Sequence, residues 1–243
     1  MRDDIVAVTM IKDRDVKYLD NMIYSLYLND TQVVVVDMNE KEVEREKVRS
    51  VVEEFKGIRI EAPIPFSLSR GFNIGIRNSP ESKYLLCTGA EMVFSPGVVE
   101  TIVGKLNSSK KEYAMVVSVC GFLPEGIEVT RDKVQFHWEE LKESIILGSN
   151  IKMSPGTFQA TMREWLFKIR GYDEGLPFAF VDSDILRRAN VDGLPRGGLR
   201  WKEGQVLHQW HPTSELIGKL GGTLKYVEGN NNVIRNLSGW GEV

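Results

Sequence analysis

Within its first 94 residues the chain alternates short β-branched runs with amphipathic helical patterns, and the run Val33, Val34, Val35, Val36 leaves little choice of architecture. Four consecutive β-branched apolar residues suit a strand covered on both faces, the environment of a parallel sheet flanked by helices. Residues 5–10, 58–61 and 84–87 read as further strands of the same kind. Helical periodicity fills the intervals. Residues 14–28 carry Leu19, Met22, Ile23 and Leu26 on one stripe, and residues 41–55 repeat Val48, Val51, Val52 and Phe55 at i, i+3, i+4 and i+7. A third helix, 67–77, follows Pro63 and Pro65 with serines available for capping, and a fourth starts at Pro96 and runs to about 106. This β-α-β-α-β-α-β order predicts an α/β fold with a mainly parallel central sheet and helices on both faces. Ligands of such sheets sit beyond the carboxyl ends of the strands, so the exits to inspect are Thr9 and Met10, Asp37, and residues 88–91.

The second half is less regular. Residues 113–119 read as a strand, 127–138 as a hairpin or irregular excursion, and 153–162 as a lead into a short helix near 164–169. Residues 182–190 read as a helix, 205–210 as a late strand, and 229–243, rich in Asn and Gly, as a poorly ordered tail or a lid. A length of 243 residues suits one large α/β domain, and a net charge of −3 without any long basic tract excludes a nucleic-acid partner. Cys87 and Cys120 are too few for a disulfide framework or a cysteine-rich zinc site. The first residues lack the apolar core of a signal peptide, and no stretch approaches the ~18 apolar residues that span a bilayer. The expectation is a cytoplasmic protein with no transmembrane segment, peripheral membrane attachment being the one association left open.

Five segments, in order, carry a resemblance. Phe66 to Ile76 holds Ser-x-Arg-x-x-Asn-x-Gly; Tyr84 to Phe94 is an apolar strand ending on Thr88, Gly89, Ala90, Glu91; Ile169 to Glu174 ends in Gly-Tyr-Asp-Glu; Phe180 to Arg188 holds Asp182 and Asp184; and His208, Gln209, Trp210, His211 and Pro212 follow. Together, over about residues 5–212, they resemble family-2 glycosyltransferases of the GT-A fold, with a C-terminal half similar to that of galactosyltransferases and chondroitin-polymerase-like enzymes. The resemblance implies one GT-A-like domain. Residues 1–94 would be its nucleotide-sugar-binding half, 95–212 its acceptor and catalytic half, and 213–243 the tail or lid.

It also implies an enzyme that moves a sugar from a UDP- or GDP-sugar to a hydroxyl of a glycan, lipid-linked or protein acceptor, with inversion. Asp182 matches the second acid of the family's Glu-Asp pair and would be the general base, N-capping of its helix being the rival reading. Thr9, Asp37, Arg70, Asn73, Gly89 and Ala90 would line the donor. Arg70 and Asn73, three apart, share a helix face, while Asp37 as a turn-former after its strand is the alternative. Where the family carries an Asp-x-Asp metal motif, this chain has Gly89 and Glu91, one acid in place of two. Glu91 with His208 and His211 would hold Mn2+ or Mg2+. On a strand, 208 and 211 face opposite sides, so both histidines can ligate only if the strand ends or bulges between them. Asp173, Glu174, Asp184 and Trp210 fall on the acceptor side or in structural roles. The reduced motif leaves two alternatives open: transfer without a metal, with Arg70, Arg196 or Arg200 neutralising the diphosphate, or a GT-A-like binding protein that has lost catalysis.

Overall fold

The computed structural model describes residues 1–111, 114–145, 152–153, 158–176, 180–212, 227 and 230–242. Elements follow in the order β1 (Ile5–Ile11), α1 (Val16–Leu28), β2 (Gln32–Asp37), α2 (Glu42–Glu54), β3 (Ile58–Glu61), α3 (Leu68–Asn78), β4 (Tyr84–Thr88), β5 (Met92–Phe94) and α4 (Val98–Asn107). Then come β6 (Met115–Phe122), α5 (Arg131–Phe136), α6 (Trp138–Glu143), β7 (Lys152–Met153), β8 (Phe158–Met162), α7 (Arg163–Lys168), α8 (Val181–Val191), β9 (Arg196–Leu199) and β10 (Val206–His208).

The four N-terminal strands are parallel, in the order β3-β2-β1-β4, with β1, β2 and β4 buried on both faces and β3 the partly exposed edge. Val33 and Val35 join the core under α1 and α4, whereas Val34 and Val36 join the core under α3, α7 and α8. Alternation along the strand thus assigns the valines pairwise to two helical layers. On the second layer, α3 lies directly on β1. A Cβ on Gly75 would stand 2.3 Å from Val8 Cγ1, so the glycine is what permits the approach. The start of α3 is fixed by Ser67, whose Oγ accepts from the Arg70 amide at 3.3 Å.

Beyond β4 the sheet turns antiparallel through β8, which pairs with both β4 and β6. β6 then divides its partners. Residues 115–118 pair with β9 in the main sheet, and residues 120–122 pair in parallel with β10 in a smaller one. β10 also pairs antiparallel with β5, placing His208 opposite Met92 on one side and Phe122 on the other. That second sheet delivers the late histidine to the mouth of β4. The region 127–138, expected as a hairpin or irregular excursion, instead folds into the short helices α5 and α6, with Thr130 Oγ capping α5 through the Lys133 amide.

Of the C-terminal segment, residues 213–226, 228–229 and 243 lie outside the described residues. Residues 230–242 lie against the second core layer, with Trp240 7% exposed. Among the described residues, no helix is long and apolar enough to cross a membrane.

Candidate active site

The turn Gly89, Ala90, Glu91 joins β4 to β5 at the carboxyl edge of the sheet. β10 ends at His208, and the chain leaves it through Gln209, whose amide donates to Glu91 O at 2.9 Å. The Gln209 side chain is 2% exposed and holds this turn on three sides. It donates to Tyr18 O and Glu91 O and accepts from Asn21 Nδ2. Because the strand stops at 208, His211 swings back to the side of His208, and the two rings lie 5.0 Å apart. One donor atom each from Glu91, His208 and His211 fall within 4.8 Å of one another.

The state of these groups fits cation binding. Burial lowers the His208 pKa against the opposing pull of Glu91, which favours the neutral ring and its free lone pair. His211 Nδ1 lies 2.9 Å from Pro212 O, which only accepts, so Nδ1 carries the proton and Nε2 is left as the ligating atom. Phe122 packs over His208 at 5.0 Å and limits its rotation. Gly89, at the first position of the motif, serves the remaining acid. A Cβ there would stand 2.6 Å from Glu91 Oε1, so the glutamate carboxylate occupies the space that a side chain at 89 would fill. Glu is one methylene longer than Asp and can fold back in this way. Ala90, beside it, is buried.

Facing Glu91 from the loop after β1 is Arg14, its Nη1 3.7 Å from Glu91 Oε2. That nitrogen is buried and has no hydrogen-bond partner, as is the Thr9 hydroxyl on β1. Arg70 is partly exposed at the start of α3 and reaches Glu242 O at 3.4 Å. Trp210 is 37% exposed, next to the histidines.

Several other sequence-selected residues have partners of their own. Asp37 is fully buried, and both its oxygens are engaged. Oδ1 accepts from the Asn39 amide and Nδ2, and Oδ2 from Arg59 Nε at 2.9 Å. Asn73 is equally buried and points away from solvent: Oδ1 accepts from the Tyr172 amide at 2.7 Å, and Nδ2 donates to Tyr172 O and Glu174 Oε1. Asp173 and Asp184 pair with Arg235. Asp182 stands on the first turn of α8, half-buried, two residues after Phe180, whose φ of 60° is left-handed. Burial raises its pKa, while hydrogen bonds from its own amide and that of Ser183 pull the other way. Of the arginines weighed for a metal-free site, Arg196 reaches Asn190 and Arg200 is held by Glu203. Sequence reading missed Gln209, Asn21 and Arg59, whose roles depend on neighbours distant in the chain.

No family model matches the sequence, and no curated protein matches it. Solved structures do. Residues 1–349 of TarS from S. aureus align over 85% of this chain with a TM-score of 0.61 at 11% identity. The same protein in complex with UDP-GlcNAc gives 0.63 at 12% identity over 88% of this chain. GalNAc-T7 with UDP, GalNAc and Mn2+ gives 0.66 at 15% identity over 93%. This chain has the GT-A fold. It spans 60%, 61% and 48% of those three chains, respectively. Within the GT-A fold of this protein, Glu91, His208 and His211 stand where the turn between β4 and β5 meets the end of β10.

Proposed function

We propose that this protein is a glycosyltransferase that moves a sugar from a nucleoside-diphosphate sugar to an acceptor hydroxyl, with inversion. The observation that carries the reading is the convergence of Glu91, His208 and His211 at the mouth of a GT-A sheet. Support comes from the neighbours with this fold, solved with UDP-GlcNAc and with UDP, GalNAc and Mn2+.

Glu91, His208 and His211 would hold a divalent cation, which supplies positive charge to a departing diphosphate. Two imidazoles with one carboxylate suit Mn2+ better than Mg2+, which prefers an all-oxygen shell. Arg14, whose Nη1 lies 3.7 Å from Glu91 Oε2, adds a second positive group on the same side. Asp182 would take the proton of the acceptor hydroxyl as the acceptor oxygen bonds to the anomeric carbon. The anomeric C–O bond breaks with its electron pair passing to the diphosphate. A carboxyl whose pKa is raised by burial is a stronger base than an exposed aspartate. Arg70 would contact the donor, and the partly exposed Trp210 would face the acceptor, a glycan, lipid-linked or protein hydroxyl. We place the reaction in the cytoplasm.

Nucleotide release from UDP- and GDP-sugars, with Mn2+ present, tests the reading. Asp182→Asn is expected to abolish release while leaving donor affinity unchanged; full turnover in that variant would remove Asp182 from the chemistry. One observation favours a metal-independent variant of the same reaction, the 3.7 Å approach of Arg14 to the lone carboxylate. Activity that persists in excess EDTA and collapses in Arg14→Gln would select it.

A further inference from the structure

The C-terminal segment 230–242 meets α3 through Trp240 and Glu242, which contact Arg77 and Arg70, and grips the loop 170–176 and the α8 helix that follows it. Its centre is Arg235, a side chain only 2% exposed. Nη2 lies 2.9 Å from Asp184 Oδ1, and Nη1 lies 3.4 Å from Asp173 Oδ2. On the far side of Asp184, Arg188 Nε stands 2.9 Å from Oδ2, and Arg188 Nη2 donates to Gly171 O at 2.6 Å. Two carboxylates and two guanidiniums thus form a charge-balanced buried group. Asn236 extends the grip, donating to the carbonyls of Arg170 and Tyr172 and accepting from the Glu174 amide at 3.0 Å. Gly241 N closes it on Glu174 Oε1 at 2.8 Å, and Trp240 wedges beside Gly171.

We infer that this strap is a positioning device for the proposed base, and that Arg235 is its positioning residue. Asp184 lies two residues beyond Asp182 on the first turn of α8. Fixing Asp184 from both sides fixes the roll and axial position of that turn, and Asp182 with it. A planar fork can bridge two carboxylates at once, which a lysine cannot do. The left-handed Phe180 supports the same view, since a non-glycine residue keeps such a conformation only where its surroundings over-determine it. Arg235 pairs with Asp173 and Asp184, so its effect on transfer would run through Asp182. The inference therefore rests on the reading of Asp182 as the base.

The test compares Arg235→Gln, Arg235→Lys and the double variant Arg235→Gln/Asp184→Asn with Asp182→Asn, in the full chain. The readouts are Tm, affinity for UDP-GlcNAc or UDP-GalNAc with Mn2+, and kcat and KM for UDP release. The single Gln change leaves the buried group one negative charge in excess; the double change restores its balance. Misplacing a reacting group by about 1 Å costs on the order of 100-fold. We expect kcat to fall about 10- to 100-fold in Arg235→Gln, with KM and donor affinity within about twofold. Arg235→Lys, which keeps the charge and is the variant expected to fold if the Gln change does not, should fall in between. The double variant should regain part of the lost kcat. Wild-type kcat per folded molecule in Arg235→Gln, or in Arg235→Lys if only that folds, beside an inactive Asp182→Asn, would overturn the strap while leaving the base in place. An active Asp182→Asn would overturn both.

Discussion

Asn73 offers the sharpest separation between the role its motif implies and the role its contacts give. It is fully buried and makes three hydrogen bonds to the 172–174 loop. In Asn73→Ala the Tyr172 carbonyl keeps Asn236 Nδ2 as a donor, and Glu174 Oε1 keeps the Gly241 amide. Only the Tyr172 amide is orphaned. An unsatisfied buried donor costs about 1–3 kcal/mol, and the small void adds about 1 kcal/mol more. The expected loss is therefore about 2–4 kcal/mol, or a Tm drop of roughly 4–16 °C at 2–4 °C per kcal/mol for a domain of this size. Asn73→Asp should be worse. It keeps the acceptor for Tyr172 N but turns the second oxygen on a carbonyl and on the Glu174 carboxylate. Denaturant melts monitored by circular dichroism give the stability, and calorimetry on the folded fraction gives nucleotide-sugar affinity. A Tm unchanged within 1 °C together with lost donor binding would refute the structural role and return Asn73 to the donor pocket.

Asp182 and Gly89 give two further tests. Burial sets the folded-state pKa of Asp182 above its unfolded value, so its stabilising contribution is present below the unfolded pKa and lost as pH rises through the folded one. The base form appears over that same interval. The acid limb of the pH–rate profile should therefore lie above that of an ordinary aspartate, and Asp182→Asn should melt no lower than wild type at pH 7; a limb at the ordinary aspartate position would contradict this. In Gly89→Ala the new methyl group displaces the Glu91 carboxylate it would otherwise meet at 2.6 Å. Mn2+ affinity measured by calorimetry should fall about tenfold with circular dichroism unchanged.

The parallel half of the fold was legible because β1, β2 and β4 are buried on both faces and its helices are long enough to show a period. Val33 to Val36 could hardly be satisfied otherwise, and Ser67 caps α3 as a serine there should. The helices α5 and α6 span six residues each, under two turns, and so carry no readable period. Their one local signal was Thr130 at the cap. The insertion of β8 between β4 and β6 is a long-range pairing with no local signature. At the site, the residue types at 91, 208 and 211 pointed to cation chemistry, but the sequence left open whether both histidines could face one point. The end of β10 at His208, with Gln209 clamped between Tyr18, Asn21 and Glu91, answers that. Asn73 and Asp37 sit in polar motifs yet face inward, toward Tyr172 and Arg59, partners that only the folded chain supplies.

The central claim is that Glu91, His208 and His211 make this GT-A fold a cation-assisted nucleotide-sugar site. It is tested most directly by calorimetric titration of UDP-GlcNAc, UDP-GalNAc and a GDP-sugar into the protein, in Mn2+ and in EDTA. The account predicts saturable binding of at least one donor in Mn2+, weakened at least tenfold by EDTA and by His211→Ala, about the effect of losing one ligand or its support. Absence of binding by every donor in both conditions would contradict it.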